Sequence, residues 1–386
     1  MQENAPEIIR EAVQAHVEKK RIQDEAATQA SVAAVSRREF LIQLGSTSAV
    51  LTLVGTGMAA VIQTFTEEEI VGGDVDISGL RNEAVLIEPA PGTRPEYTPL
   101  EDHYRIDISV GGGPNISEED WRLRVTGLVD NEVALSLAEL RENYTPMNAI
   151  ITMSCISNRI AGDLISTTQW TGFSAQELLE TVQPRPEATH MRITSGDGFH
   201  EVVALDLVRE DPRVMFAYAW DDVPLPRRHG FPLRIHIPDR YGMKQPKWIE
   251  EIEFIDEWRA GYWVQRGWSR EAIVRATSVI DTVAVDSIYE ENGTEYVPIG
   301  GIAFAGARGI SRVEVRIDGG EWVPAQIRTP LSDRSWVIWR YDWAFTEGRH
   351  EFQVRMFEGD GTAQIETPAS TRPDGATGIH TINETL

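Results

Sequence analysis

The sequence predicts an α+β fold followed by an all-β sandwich, with a hydrophobic N-terminal helix for export or anchoring in front of both. Three observations lead to this class. Residues 41–66 contain no charged side chain. Helices and strands then follow each other without regular βαβ units. From about residue 275 onward, short strands recur with turn signals between them. The length of 386 residues accommodates more than one domain.

The N-terminal segment predicts an export signal. Residues 1–36 form a polar leader with weak helical spacing, and Arg37 and Arg38 precede Phe40 and Leu41, as in twin-arginine signals. We therefore assign residues 37–66 to a twin-arginine signal or membrane anchor, with membrane contact through residues 41–63. An uncleaved anchor is favoured because no clear cleavage site follows, and a buried helix with a chance arginine pair is the alternative. Export places the protein outside the cytoplasm, on the periplasmic side or outer face of the cytoplasmic membrane.

The middle of the chain predicts one α+β domain, residues 101–273. Residues 67–100 are rich in Pro and Gly and form an extended linker before it. Ser136 with Glu139 forms a capping box that begins a helix, and Ser174 begins a second one. A short apolar strand, 149–154, delivers Cys155 at its end. Further strands are predicted at 121–129, 202–204, 214–220 and 232–238.

The C-terminal part, residues 274–386, predicts the sandwich. Strands are expected at 278–287, 296–304, 312–318, 335–344 and 350–358, and residues 318–320, Asp-Gly-Gly, form a hairpin-type turn.

The charge excludes some functions. With 36 basic and 60 acidic residues the net charge is −24, which repels nucleic acid and disfavours anionic lipid. A site for an anion must therefore gather its own basic residues.

Cys155 is the one cysteine in the sequence, which excludes internal disulfides, cysteine-rich zinc sites and four-cysteine iron–sulfur sites. It is either an inert buried residue or a single functional sulfur. Its loop contains Asn158 and Arg159, and basic neighbours favour a thiolate, which is a nucleophile and a soft metal ligand. A hydrolase would pair it with His200 or His229, but no helix N-terminus or paired histidine follows the cysteine.

A basic cluster follows. Residues 227–248 contain six Lys or Arg, interleaved with Gly and Pro, in an otherwise acidic protein. Such loops supply the fixed donors that a phosphate needs, although a solvated basic loop is the alternative. Asp197 and Gly198 predict a turn first and a ligand contact second.

Taken in chain order, the cysteine loop, the Asp197–Gly198 turn and the basic cluster resemble the sulfite-oxidase family of molybdopterin enzymes. The resemblance runs from about residue 92 to the end. The matching stretches are WRLRVTGLVD, ITMSCISNRIAGDLISTTQWTGFSAQELLE, ITSGDGFHEV, VMFAYAWDDVPLPRRHGFPLRIHIPDRYGMKQPKWIEEIEF and EVRIDGGEWVPAQI. The joint pattern of the Cys loop, H-G-x-P-x-R and G-x-K-x-x-K-W carries the resemblance.

The resemblance implies a sulfite-oxidase-type molybdopterin domain followed by an Ig-like dimerisation domain, and hence a homodimer. It implies a molybdenum–molybdopterin cofactor whose metal is bound by the Cys155 thiolate. The other residues that it assigns to cofactor or substrate are Tyr104, Arg105, Asn158, Asp197, His229, Arg234, Gln245 and Lys247. Arg105 matches a substrate-binding arginine.

Two residues depart from the family pattern. Asp107 replaces a histidine and Trp268 replaces an active-site tyrosine, and both are candidate catalytic residues. An acidic group near the substrate would repel sulfite, and tryptophan donates a hydrogen bond but cannot release a proton as a phenol can.

The predicted activity is oxygen-atom transfer on a small oxyanion or an S- or N-oxide. Electrons are exchanged with an external carrier, such as a cytochrome, a quinone-linked protein or another redox protein. An S- or N-oxide reductase on the same site, and a non-catalytic membrane-anchored assembly or binding subunit, are the alternatives.

Overall fold

A computed structural model of the chain describes residues 86–109 and 112–386. The predicted leader, the twin-arginine segment and most of the predicted linker lie outside the described residues. Within the described ranges, no helix has the length and apolar character that crossing a membrane requires. The described residues contain nineteen strands and three short α-helices, which agrees with a β-rich α+β fold.

The first part of the described chain contains ten strands and three helices. In chain order they are β1 (Leu123–Gly127), β2 (Val133–Leu135), α1 (Leu137–Asn143), β3 (Met147–Ser154), β4 (Ile165–Ser174), α2 (Ala175–Val182), β5 (His190–Ser195), β6 (His200–Ala204), α3 (Leu205–Glu210), β7 (Met215–Trp220), β8 (Val223–Pro224), β9 (Arg234–His236) and β10 (Ile249–Ile255).

These strands form two sheets. One has the order β2-β1-β10-β5-β6, in which β1 and β10 are parallel, and the other has the order β3-β4-β7-β8 with β9 added on β7. The three helices bury apolar residues in one core with strands of both sheets, including Leu137, Leu178 and Leu205. This core fixes the strand ends from which the site is built.

The capping signals are confirmed. The Ser136 side chain accepts a hydrogen bond from the Glu139 backbone N–H, and the Glu139 carboxylate accepts one from the Ser136 backbone N–H, so α1 begins as a complete capping box. Ser174 caps α2 by accepting from the Gln176 N–H. Both helices are short, and their apolar faces and caps stabilise them together.

The C-terminal part contains nine strands in two sheets. They are β11 (Thr277–Val283), β12 (Tyr289–Glu291), β13 (Thr294–Phe304), β14 (Ile310–Ile317), β15 (Val323–Pro324), β16 (Gln326–Ile327), β17 (Val337–Ala344), β18 (Arg349–Glu358) and β19 (His380–Thr385). One sheet runs β11-β13-β17-β16 with β12 on β13, and the other runs β15-β14-β18-β19. Inward residues of both sheets share one core, as two packed sheets do.

The predicted turn at 318–320 joins β14 to β15. Asp318 and Gly319 both have positive φ, 52° and 68°, which the Asp-Gly pair tolerates. Contacts also join this part to the rest of the chain. Arg308 of the C-terminal part pairs with Asp239 of the preceding part at 3.0 Å.

Candidate active site

A cavity opens beside the end of β3. Its empty volume, including the part open to solvent, is about 910 Å³. All of the predicted site residues except Asn158 line it. The lining comes from five stretches that are distant in sequence, residues 103–108, 153–157, 195–199, 229–248 and 263–268.

Cys155 lies at the end of β3, as the sequence predicted, and is 8% exposed. Its backbone N–H donates to the Leu164 carbonyl at 2.9 Å, and its sulfur lies 3.0 Å from the Ser157 Oγ. The Asn158 amide oxygen accepts a hydrogen bond from the Leu164 N–H at 3.0 Å and does not line the cavity. Asn158 therefore shapes the cysteine loop, and a role of its side chain toward the cofactor stays a prediction.

His229 and Arg234 meet His103 in the buried interior of the cavity. The rings of His103 and His229 are 5.4 Å apart, and the Arg234 guanidinium donates to the His229 carbonyl at 2.9 Å. Burial, followed by the charge of Arg234, lowers the pKa of His103 to about 3. Burial, followed by His103 and Arg234, lowers the pKa of His229 to about 2. Without a bound anion, both imidazoles are therefore neutral at pH 7, and Arg234 carries the charge.

Asp107 lies between two basic groups. Its Oδ2 is 3.3 Å from the Arg105 Nε and 3.6 Å from the Lys247 Nζ. Burial, and then the charge of Arg234, lowers the pKa of Lys247 to about 7, although Asp107 opposes this shift. The positive charge of Arg105 is thus partly balanced inside the cavity.

Asp197 and Gln245 line the cavity and also shape local turns. The Asp197 carboxylate accepts from the Phe199 N–H at 3.0 Å, and burial raises its pKa. The Gln245 amide donates to the Arg240 carbonyl at 2.7 Å, and its oxygen lies 3.0 Å from the His236 Nδ1. Both residues thus lie at the cavity, and each side chain also makes a hydrogen bond within the protein.

Tyr104 and Trp268 complete the predicted set. Burial, and then the nearby Cys155, raises the pKa of the Tyr104 phenol, so that it stays protonated. Trp268 lies on the wall with Trp263, on a segment whose turn ends at Gly267. The Arg372 guanidinium lies 5.8 Å from the Trp268 ring centroid.

Several cavity residues were not predicted as site residues. They are His103, Met153, Ser157, Ser195, Phe199, Met243, Trp248 and Trp263. His103 stands in a polar stretch before the first strand that is uninformative by itself, and it reaches the cavity only through the tertiary fold. Trp248 could have been predicted from sequence, because it directly follows the predicted site residue Lys247. In the structure the Lys247 ammonium lies 4.1 Å from the centroid of the Trp248 ring.

A few buried polar atoms in the cavity are suited to a cofactor. The Asp107 Oδ2 already forms ion pairs with Arg105 and Lys247. Among the described residues, three other cavity side chains have a buried polar atom without a hydrogen-bond partner, namely His103 Nε2, Ser195 Oγ and Arg234 Nε. Buried polar groups are nearly always paired, so these atoms are placed for a polar guest. A thiol, a guanidinium, two imidazoles and a carboxylate fit a pterin with a phosphate and a soft-ligand metal.

Comparison with known proteins agrees with this chemistry. Residues 110–263 match the family model described as the oxidoreductase molybdopterin binding domain. The uncharacterized oxidoreductase YuiH of Bacillus subtilis (strain 168) is 30% identical over 150 residues, covering 38% of this chain and 72% of YuiH. The chain belongs to the sulfite-oxidase-type family of molybdopterin oxidoreductases, and its cofactor is molybdenum–molybdopterin.

Two further relatives are informative. Human mitochondrial sulfite oxidase is 25% identical over 285 residues, which cover 62% of this chain and 52% of that protein. The chain thus spans about half the length of the sulfite oxidases it matches. The sulfane dehydrogenase SoxCD of Paracoccus pantotrophus has a TM-score of 0.60 at 20% identity, covering 71% of this chain and 80% of that chain, and shows the same fold.

Proposed function

We propose that this enzyme transfers an oxygen atom to or from a small oxyanion or an S- or N-oxide and exchanges electrons with an external carrier protein. The observation that carries the proposal is the Cys155 sulfur in a cavity that also holds Arg105 and three buried polar atoms without a hydrogen-bond partner among the described residues. When bound, the cofactor supplies a molybdenum centre that can change oxidation state by two electrons.

We assign roles to the following cavity residues. Cys155 is the thiolate ligand of the metal. His103, His229 and Arg234 hold the anionic end of the pterin, because the arginine carries charge and the imidazoles offer hydrogen bonds in a buried place. Further pterin contacts are proposed for Tyr104, Asp197, Gln245 and Lys247. Trp268 excludes water from the substrate side.

Arg105 is the proposed substrate-positioning residue. Its side chain lines the cavity and is 38% exposed, so an incoming oxygen atom with negative charge can reach it. Sulfite, the substrate in the name of the human relative, is a small oxyanion of this kind. The guanidinium would hold such an oxygen by two hydrogen bonds.

Asp107 favours an S- or N-oxide reductase as the second candidate. Because its carboxylate lies 3.3 Å from Arg105, the pair offers a dianion less net attraction than an unpaired arginine would. A neutral oxide with a partly negative oxygen needs a donor such as Arg105 but is not repelled by Asp107. Trp268 adds an apolar wall that suits an organic substituent.

Metal analysis tests the proposal. We expect about one molybdenum per purified chain and loss of the metal in Cys155→Ser. The control Arg192→Gln, altered on β5 outside the cavity, is expected to keep the metal. A steady-state screen of sulfite against sulfoxides and N-oxides then chooses between the two candidates. A folded, exported protein that contains no molybdenum would refute both.

For the C-terminal part, residues 274–386, we propose an Ig-like dimerisation domain that makes the protein a homodimer. Its two packed sheets with a common core support an Ig-like assignment. Light scattering of the intact protein gives the mass in solution, and a monomeric mass would contradict the dimer.

The proposed location is outside the cytoplasm, with the segment 37–66 as a twin-arginine signal or anchor. Support comes from the arginine pair before an uncharged stretch. Replacing Arg37 and Arg38 together by lysine is expected to retain the protein in the cytoplasm, as measured by cell fractionation. Unchanged export of that variant would contradict the signal.

A further inference from the structure

An apolar wall runs along the cavity from the cysteine loop toward solvent. It consists of four side chains that line the cavity and belong to one hydrophobic cluster, namely Ile156, Met243, Trp263 and Trp268. Ile156 and Met243 are buried, and Ile156 directly follows Cys155 in the chain. The two tryptophans are half-buried, so part of each ring system remains open to solvent. The wall therefore begins beside the sulfur and leads outward.

The apolar wall is held in place by the packing behind it. The same hydrophobic cluster contains Val279 of β11, Ile302 of β13 and Ile338 of β17, which are buried residues of the C-terminal part. The backbone N–H of Trp268 also donates to the Trp263 carbonyl at 3.1 Å, which fixes the two tryptophans relative to each other. Because the wall is ordered before a ligand arrives, binding against it costs little conformational entropy.

The same cavity combines this wall with charged groups. Arg105 and Asp107 line it and form an ion pair at 3.3 Å. Ile106 lies between them in the chain, also lines the cavity, and is 45% exposed, which is unusual for a large apolar side chain. The open end of the cavity therefore presents both a hydrogen-bond donor, Arg105, and apolar surface.

This combination favours one chemical class of ligand. A small hydrated oxyanion gains nothing from the apolar wall, because its oxygen atoms would lose water there without a new hydrogen bond. An alkyl or aryl group gains free energy at the same place, because its apolar surface leaves water. A ligand with both an oxygen atom for Arg105 and an organic group for the wall uses the whole cavity.

We propose that the apolar wall, together with Ile106, forms a subsite for the organic substituent of the substrate. The substituent is an alkyl or aryl group on the sulfur or nitrogen atom that carries the reacting oxygen. The inference rests on the proposed function for one point, that this oxygen lies at Arg105. It extends that function by assigning the substrate to the organic oxides rather than to the inorganic oxyanions.

The test compares two ligands that have the same head group and differ only in the tail. Methanesulfonate and butanesulfonate are titrated calorimetrically into the full-length protein as purified, at constant pH and ionic strength. Each fully buried methylene group strengthens binding about fourfold, and the longer tail adds three of them. Because the wall is partly open to solvent, we expect the dissociation constant of butanesulfonate to be about tenfold lower than that of methanesulfonate in wild type.

Variants of the wall should reduce this tail preference. In Trp263→Gln and Trp268→Gln we expect the ratio of the two dissociation constants to fall to about threefold or less, while methanesulfonate binding changes by less than about twofold. Ile106→Asn, at an exposed position that leaves the buried cluster intact, should lower the ratio as well. Arg105→Gln should weaken both ligands by the same factor, because it contacts the shared head group.

The matched control is Trp322→Gln. Trp322 is a half-buried tryptophan of the C-terminal part, contacts the guanidinium groups of Arg316 and Arg355, and does not line the cavity, so the tail preference should be unchanged. Circular dichroism and melting temperature verify that each variant folds. The subsite is overturned if neither sulfonate binds, if both bind wild type within about twofold of each other, or if no wall variant lowers the ratio.

The molybdenum content of the same preparation separates this inference from the proposed function. A protein that contains molybdenum and turns over substrate, yet binds the two sulfonates equally, keeps the proposed function and loses the subsite. A protein that shows the tail preference but contains no molybdenum keeps the subsite and loses the proposed function.

Discussion

A buried ion pair supports the wall that carries Trp263 and Trp268. The Lys244 ammonium lies 2.8 Å from the Glu201 Oε1, and the side chains are 6% and 0% exposed. A Cβ on Gly261 would collide with the Glu201 carboxylate, so the chain passes directly over this pair just before Trp263. The pair thus connects the stretch that follows β9 with β6, and the chain passes over it at Gly261 before it reaches the tryptophans.

Removing one partner is predicted to be costly. Lys244→Met leaves the Glu201 carboxylate buried, with a single remaining hydrogen bond from the Val202 N–H. Burial already raises the pKa of Glu201, and Lys244 is the main influence that opposes the shift. Breaking a buried pair from one side costs about 3–5 kcal/mol, whereas replacing both partners by apolar residues of similar size is often neutral. The double variant Glu201→Met/Lys244→Met should therefore recover most of the loss.

Urea unfolding followed by circular dichroism measures these free energies for wild type, both single variants and the double variant. We expect the single Lys244→Met to be destabilised by about 3–5 kcal/mol and the double variant by about 1 kcal/mol or less. A loss below about 1 kcal/mol in Lys244→Met, or a double variant no more stable than that single variant, would refute the reasoning.

Three further predictions concern other parts of the molecule. In cofactor-free protein, the pKa of Lys247 is about 7 in the folded state and 10.5 in the unfolded state. The unfolded state therefore binds more protons between these pH values, and the free energy of unfolding should rise with pH across this range. Urea unfolding at several pH values is expected to show this rise in wild type and to lack it in Lys247→Met. Arg372→Gln removes hydrogen bonds to two carbonyls of the turn before Trp268. We expect the KM of the enzyme to rise about fivefold with kcat little changed in steady-state assays, and an unchanged KM would contradict this. The Trp339 indole nitrogen lies 3.2 Å from two buried carbonyl oxygens, and Trp339→Phe removes this donor. Thermal unfolding should show that the variant is less stable by about 2 kcal/mol, and a loss of stability below about 0.5 kcal/mol would count against this role.

Much of the local structure followed from sequence because its causes are local. The Ser136 and Ser174 caps lie within a few residues of the groups they bond, and the β3 strand places Cys155 by simple continuation of the chain. The Asp318–Gly319 turn needs only residues that tolerate positive φ. Such signals are readable without knowing what packs against them.

Other features had no local signal. Asn158 carries a side chain typical of a ligand contact, yet its amide oxygen bonds the Leu164 N–H six residues along the chain. His103 became a cavity residue because the chain before β1 folds back against His229, 126 positions later in sequence. The pair of Lys244 with Glu201 likewise joins residues 43 positions apart.

The sequence by itself determined the family, the single sulfur at Cys155 and the basic character of residues 227–248, because these depend on residue types and their spacing. Tertiary structure alone decided which polar groups face the cavity, that Asp107 partly balances Arg105, and that Trp263 and Trp268 join one apolar cluster with Ile156 and Met243. The physical reason is that charge interactions and burial depend on distances in space, which the fold sets between residues far apart in the chain.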